Sequence, residues 1–224
     1  MRALPFLFLL LVPVVAYLAY RGWKQEQARR AQLMQWCATS GYTYQPRDDQ
    51  WCHRWSGTPF NDGDHRQAHN VVVGRMGEQP FAAFDYSFET HSTDSKGNTT
   101  TTTHRYAVAS FQLPTALPRL QVTPEGLFGR IGNALGLDDI ELESEDFNRR
   151  FRVHSDDRKF ACDVLSPRTM QALLTRPDAR WRIEGVDILT WRDGRITPDV
   201  VASMTFDLQT VVAGIPSFVW KDHS

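Results

Sequence analysis

Three cysteines, seven histidines and 26 acidic side chains are the residues of this 224-residue chain with the means to do chemistry. Cys52-His53 and His65-x3-His69 have the residue types of zinc ligands. Val71 to Val73 make the stretch from His65 to Asn70 extended, and four residues along a strand span about 13 Å. Two imidazoles that far apart do not share one ion, and no CxxC or HExxH supplies another set. A thiol nucleophile needs a histidine in reach. Cys37 lies in a helix, Cys52 in a tryptophan-rich strand and Cys162 in the apolar KFACDVL. All three read as small buried thiols.

Phosphate and acyl-transfer motifs are missing: there is no GxSxG, GxxxxGK[ST] or GxGxxG. Gly126, Gly129, Gly132 and Gly136 read as a loose helix. The acidic run Asp138, Asp139, Glu141, Glu143, Glu145 and Asp146 lacks the EF-hand pattern. It reads as a solvated edge, partly at a helix N-terminus where acids are favoured. Asp85, on the non-aromatic face of its strand, reads as exposed. Seven tryptophans point to core packing, with a ligand groove as the sharper alternative. No residue is assigned a catalytic, cofactor-binding or metal-binding role, and the balance is against an enzyme.

The elements that would position these residues begin with Leu4 to Tyr20, an uncharged apolar run. As a helix it spans about 25 Å, against a hydrocarbon core of about 30 Å. Tyr17, Tyr20 and Trp23 suit a headgroup layer, and Arg2 and Arg21 can snorkel. The expectation is an uncleaved, single-pass anchor over residues 1–23. A cleaved signal peptide with Val14-Val15-Ala16 at its end is the alternative, and a buried core helix the bland one. Arg21, Lys24, Arg29 and Arg30 outnumber Glu26 beyond the run, which places the following domain in the cytoplasm.

Lys24 to Thr39 reads as a juxtamembrane helix (domain 24–41) with Leu33, Met34, Trp36 and Cys37 as its apolar stripe and Gly41 as its stop. One domain, 42–224, follows. Its first half is antiparallel and β-rich. Strands are expected at Trp51 to Trp55, with both tryptophans on one face, then at Asp64 to Met76, Phe81 to Thr90 and His104 to Leu113. Phe84, Tyr86 and Phe88 alternate onto one face. Residues 91 to 103 read as a long hairpin loop with threonine-rich strand ends. In the mixed second half, Thr123-Pro124-Glu125 caps a helix to about Leu135, Ser144 caps one through Phe147, and Ser166-Pro167 starts one ending near Thr175. Trp181 to Ile196 reads as a hairpin turning at Asp193-Gly194 and flanked by Trp181 and Trp191. Thr197-Pro198-Asp199 caps a helix carrying Val200, Val201, Met204, Leu208, Val211 and Val212. Ile215 to Trp220 docks on the domain. The class is α+β.

A net charge of −1 excludes a nucleic-acid binder of the basic-patch type, and three cysteines exclude a disulfide framework. The expected partners are the bilayer, through residues 4–20, and an unknown protein.

Several stretches carry a resemblance: Trp55-Ser56-Gly57-Thr58-Pro59-Phe60, Asn70-Val71-Val72-Val73-Gly74, Phe84-Asp85-Tyr86, Leu117-Pro118, Glu143 to Phe151, and Ile215 to Trp220. Over residues 50 to 220 the chain resembles uncharacterised membrane-anchored proteins of actinobacteria. It is also distantly similar to a bacterial domain of unknown function found behind transmembrane helices. The resemblance implies no activity and gives no residue a role. Three functions follow as expectations: a membrane-anchored interaction or scaffold domain without catalysis, a membrane-proximal small-molecule or lipid-binding module, and an enzyme of unrecognised type.

Overall fold

The computed structural model describes residues 4–127 and 140–223, with side chains from 12 to 126 and from 140 to 223. Helix α1, Leu4–Ser40, is continuous. It ends where Gly41 takes φ +71, a left-handed stop that a side chain would resist. All residues from 12 to 25 are exposed, whereas Glu26, Arg29, Leu33, Trp36 and Cys37 turn towards the domain. That stripe has helical spacing, and Leu33 and Cys37 at its end are buried in the core. Burying Leu33 contributes about 1.5–3 kcal/mol. Met34, expected on the stripe, is exposed. Among the described residues no helix is long and apolar enough to cross a membrane. Residues 4–11, where the expected anchor begins, lie outside the described side chains.

Six strands form one antiparallel sheet: β1 Thr43–Arg47, β2 Asp64–Met76, β3 Gln79–Thr93, β4 Thr99–Pro124, β5 Phe151–Ser155 and β6 Trp181–Asp193. The long β4 organises it. The first half of β4 pairs with β3 and its last five residues with β5, while β6 runs along most of its length. Helices α2 Glu145–Arg150, α3 Arg158–Val164, α4 Pro167–Leu174, α5 Pro198–Gly214 and α6 Ser217–Asp222 complete the described elements.

Alternation divides the buried side chains between two cores. On one face Phe81, Ala83, Ala107, Ala109 and Phe111 join Leu33, Cys37 and residues of the later helices. On the other, Phe84, Tyr86, Phe88 and Val108 join Trp55, Phe60 and Trp191. The expected caps form: Ser144, Ser166 and Thr197 accept from the backbone N–H of Phe147, Thr169 and Val200. Ile215 and Val219 seat the C-terminal segment.

Four expectations change. Trp51 to Trp55 is not a strand. Asp49–His53 is a 3-10 helix, because the Asp48 side chain caps it by accepting from Gln50 N. Trp181 to Ile196 is not a hairpin but the single strand β6 and its exit. Asp193-Gly194, the expected turn, ends β6 with no returning strand, and at Gly185, φ +59, the pairing shifts register with the extra residues on β4, a bulge in that strand. Across it the facing of β6 reverses: Trp181 and Ile183 join the first core, Leu189 and Trp191 the second. The loop over 91 to 103 is shorter than expected, since pairing continues to Thr93↔Thr99. Thr123 and Pro124 cap no helix but end β4 against Arg152 and Phe151. A 3-10 turn, Glu125–Leu127, follows, and the rest of the expected helix to Leu135 lies outside the described residues. Strand β5 and helix α3 have no counterpart in the sequence reading.

Candidate functional site

The alternation of β3 that buries Phe84 and Tyr86 sends Asp85 to the opposite face, where α1 crosses. Asp85 is therefore not exposed. Arg29 Nη2 donates to Asp85 Oδ2 at 2.7 Å, Asn70 Nδ2 to the same oxygen at 2.8 Å, and Ile196 N to Oδ1 at 2.7 Å. Arg29 Nη1 donates to the Ile196 carbonyl at 2.7 Å. One arginine thus joins α1, β3 and the segment between β6 and α5. Asn70 reaches Asp85 because the β2–β3 register shifts between His69 and Val72 and Asn70 takes φ +52. Asparagine tolerates that left-handed backbone better than most residues. Tyr44 fixes its amide by donating to Asn70 Oδ1 at 2.7 Å.

One turn up α1, Glu26 gathers three arginines. Arg29 Nη2 lies at 2.7 Å and Arg30 Nε at 3.0 Å, and Arg195 Nη1 also bonds it. Burial pushes the Glu26 carboxyl up, but hydrogen bonds and charge from Arg29, Arg30 and Arg195 bring it down to about 2. Burial works against the Arg29 charge, and Glu26 with Asp85 more than offsets it, so its pKa is raised. Burial raises the Tyr44 hydroxyl. Around these groups lies a cleft of about 140 Å³. Arg29, Arg30, Arg105 and Arg195 line it against two carboxylates, Glu26 and Asp85, and Ser87 adds a hydroxyl.

A second cleft, of about 420 Å³, opens on the other face. Phe88, His104 and Tyr106 line it as stacked rings, His104 on Phe88 at 4.8 Å and Tyr106 on Phe88 at 6.1 Å. Thr58 and Pro59 form a wall, with Arg180 and Asp193 also lining it. The segment 54–60 that carries this wall is tied to β6. Arg54 Nε and Nη2 and Trp55 Nε1 donate to Asp187 at 2.8–2.9 Å, and Ser56 N and Oγ donate to Glu184 Oε1 at 2.9 and 2.7 Å. Beneath it Arg182 is fully buried, its guanidinium 5.5 Å from the Phe60 ring centroid and 5.4 Å from that of Trp191. Glu184 pairs with it at 3.1 Å. Burial lowers the Arg182 pKa to about 10.

The sequence candidates fall mainly outside both clefts. Cys37 and Cys52 are buried as expected, and burial pushes their thiols up, Cys52 to about 12. Neither has the character of an activated thiolate. Cys162 is exposed, contrary to expectation. His69 lines the first cleft and bonds Gln67 Oε1 at 2.8 Å. His65 instead stands near Asp64 and Glu89, their ligand atoms within 4.8 Å of one another. Asp64 also pairs with His91 at 3.2 Å, and this group is a solvated edge. Glu145 and Asp146 sit in the first turn of α2, while Asp138 and Asp139 lie outside the described residues, as do Gly129, Gly132 and Gly136. Trp51 stacks near Trp55 at 6.0 Å, in the packing role expected of both.

Arg29, Glu26 and Asp85 escape sequence reasoning because their meeting is long-range. A charged residue between two aromatic ones in an alternating strand was the available signal, and it implies an acid on a face that another element has to cover.

Comparison with known proteins assigns no chemistry to these clefts. Residues 114–179, from the middle of β4 through α4, match a family described as a protein of unknown function, DUF3137. No curated protein matches. Among solved structures the chain is similar to the crystal structure of the mycobacterial trehalose monomycolate transport factor A, TtfA. The TM-score is 0.58 at 13% identity, covering 84% of this chain and 96% of that one. At that identity the likeness is one of fold.

Proposed function

We propose that the chain is a membrane-anchored, non-catalytic interaction domain, held at the bilayer through residues 4–20 with its sheet domain on the cytoplasmic side. The observation that carries this reading is the division of α1. From Val12 to Trp23 its apolar side chains are 54–64% exposed on every side of the helix, including Val12, Val14, Val15, Tyr17, Leu18 and Tyr20. Apolar surface of that extent is costly in water. A protein groove covers one face of a helix, whereas hydrocarbon covers all of them. The aromatic and basic residues that follow suit the headgroup layer. The cytoplasmic side rests on the excess of cations after the apolar run. A role carried out through partners is in keeping with the fold shared with a transport factor.

Membrane fractionation tests the anchor: the full chain should stay with membranes through a carbonate wash, and its release would overturn the reading. Orientation is tested with Ser95→Cys, at the tip of the β3–β4 hairpin, in a Cys162→Ser background that removes the exposed thiol. An impermeant thiol reagent should label it only after lysis. Labelling of intact cells would place the domain outside.

A second reading, a small-molecule or lipid-binding module, is favoured by the aromatic cleft of about 420 Å³. That volume falls in the range of sites for small organic ligands, about 300–1,000 Å³. A lipid extract of the purified chain, analysed by mass spectrometry, should then contain a stoichiometric ligand lost in Tyr106→Ala.

A further inference from the structure

The cleft at the foot of α1 holds more positive charge than its own carboxylates answer. Arg29 is committed to Asp85 and Glu26. Among the described residues Arg30 and Arg195 pair with Glu26 alone, and their side chains remain 45% and 46% exposed. Arg105 is exposed, and among the described residues its guanidinium has no ion-pair partner. Four arginines face two acids, a formal excess of two positive charges in a recess that also presents the Ser87 hydroxyl. Guanidinium groups suit the tetrahedral, oxygen-rich geometry of phosphate. The volume of about 140 Å³ is well below that of a site for a whole organic ligand and fits a single small anionic group.

Its place along α1 matters as much as its charge. Glu26 lies three residues beyond Trp23, about 5 Å along the helix axis. With Trp23 in the headgroup layer, the mouth of the cleft stands just below it. Arg21 and Lys24, exposed on the other side of α1, add general attraction to anionic lipid at the bilayer surface, about 1 kcal/mol for each cation.

We propose that this cleft binds a phosphate group through Arg30, Arg105 and Arg195, and that its occupant is the headgroup phosphate of an anionic phospholipid. The lipid source rests on the membrane-anchored reading. The phosphate chemistry does not.

The test uses the full chain in non-ionic detergent, titrated separately with phosphatidylglycerol, phosphatidylcholine and inorganic phosphate, and read by native mass spectrometry. Phosphatidylglycerol adducts should form in preference to phosphatidylcholine, and Arg105→Gln should weaken them about tenfold, the loss of one charge-assisted hydrogen bond. Arg105→Gln breaks no described ion pair, so an unchanged melting temperature shows that the fold is kept. Binding of inorganic phosphate with the same sensitivity to Arg105→Gln would support the phosphate site and assign it to free phosphate, overturning the lipid source. Equal adducts of both lipids, or phosphatidylglycerol adducts unaffected by Arg105→Gln and by Arg195→Gln, would overturn the proposal. Carbonate extraction of the same proteins reports separately on the anchor: a chain that leaves the membrane yet retains phosphate loses its anchor reading and keeps its site.

Discussion

Arg29 and Asp85, 56 residues apart in the chain, meet at 2.7 Å with only 13% of each side chain exposed. Asp85 is where helix α1, strand β2 and the exit of β6 converge. Its carboxylate accepts from all three, so the pair is a brace that holds the emerging helix on the sheet.

Removing Asp85 leaves Arg29 its bonds to Glu26 but orphans the Asn70 amide and the Ile196 N–H, at about 1–3 kcal/mol for each buried group left unsatisfied. Asp85→Ala should therefore destabilise the protein by an amount near that range in urea unfolding. Hydrogen exchange should rise in the last three turns of α1 first. In a double-mutant cycle with Arg29→Ala the two losses should not add. Strict additivity would show that the pair does not couple helix to sheet.

Acid should loosen the same junction. The Glu26 carboxyl titrates at about 2 when folded, against an ordinary value of 4.5. A depressed folded value means stability that is full above the unfolded pKa and lost as pH falls through the folded one. Unfolding followed by circular dichroism should show stability falling between about pH 4.5 and 2. Glu26→Gln should flatten that slope, and an equal slope in the variant would assign it to other carboxylates.

Arg182 is buried between two aromatic rings with Glu184 beside it. Arg182→Ala removes the stem and the charge together and leaves a cavity between the Phe60 and Trp191 rings, while Glu184 keeps its bonds from Ser56, so a loss of about 3 kcal/mol or more is expected. Segment 54–60 should loosen, read as a red shift and greater quenching of tryptophan fluorescence. Arg182→Met restores the volume and should recover much of the loss.

Two glycines separate backbone conformation from space. Gly63 at φ +56 would place a Cβ 2.1 Å from the Glu89 carbonyl oxygen, whereas Gly77 at φ +63 has open surroundings. Gly77→Ala should cost about 1–2 kcal/mol, the left-handed penalty alone. Gly63→Ala should cost distinctly more, because backbone has to move. Equal midpoints in urea would mean that the segment before β2 relaxes freely.

Local patterns carried much of this fold. The bounds of β2 follow from the valine run and its flanks, and those of α5 from the Thr197-Pro198 cap. The faces of β3 follow from Phe84, Tyr86 and Phe88. Failures came where one residue type serves two geometries. Asp193-Gly194 ends β6 with no returning strand where it suggested a hairpin turn, and Asp48 caps a 3-10 turn where two tryptophans suggested β structure. The candidate site was nearly invisible for a different reason. Its face of β3 is covered by a helix 56 residues earlier, and an ion pair across that distance leaves no periodic trace. The excess of arginine after the apolar run was legible, but only as an orientation signal.

Helix α1 has neither glycine nor proline between Trp23 and Ser40, so nothing along that stretch acts as a swivel. Whatever seats the upper helix also sets the compass bearing of the sheet beneath it. A single alanine inserted after Lys24 would turn the domain by about 100° and move it by about 1.5 Å. Two insertions would turn it by about 200°, and a run of three or four would bring it nearly back to its starting bearing. A partner that meets this domain at a fixed angle should therefore sense the number of residues in the neck with the period of the helix, and not their identity.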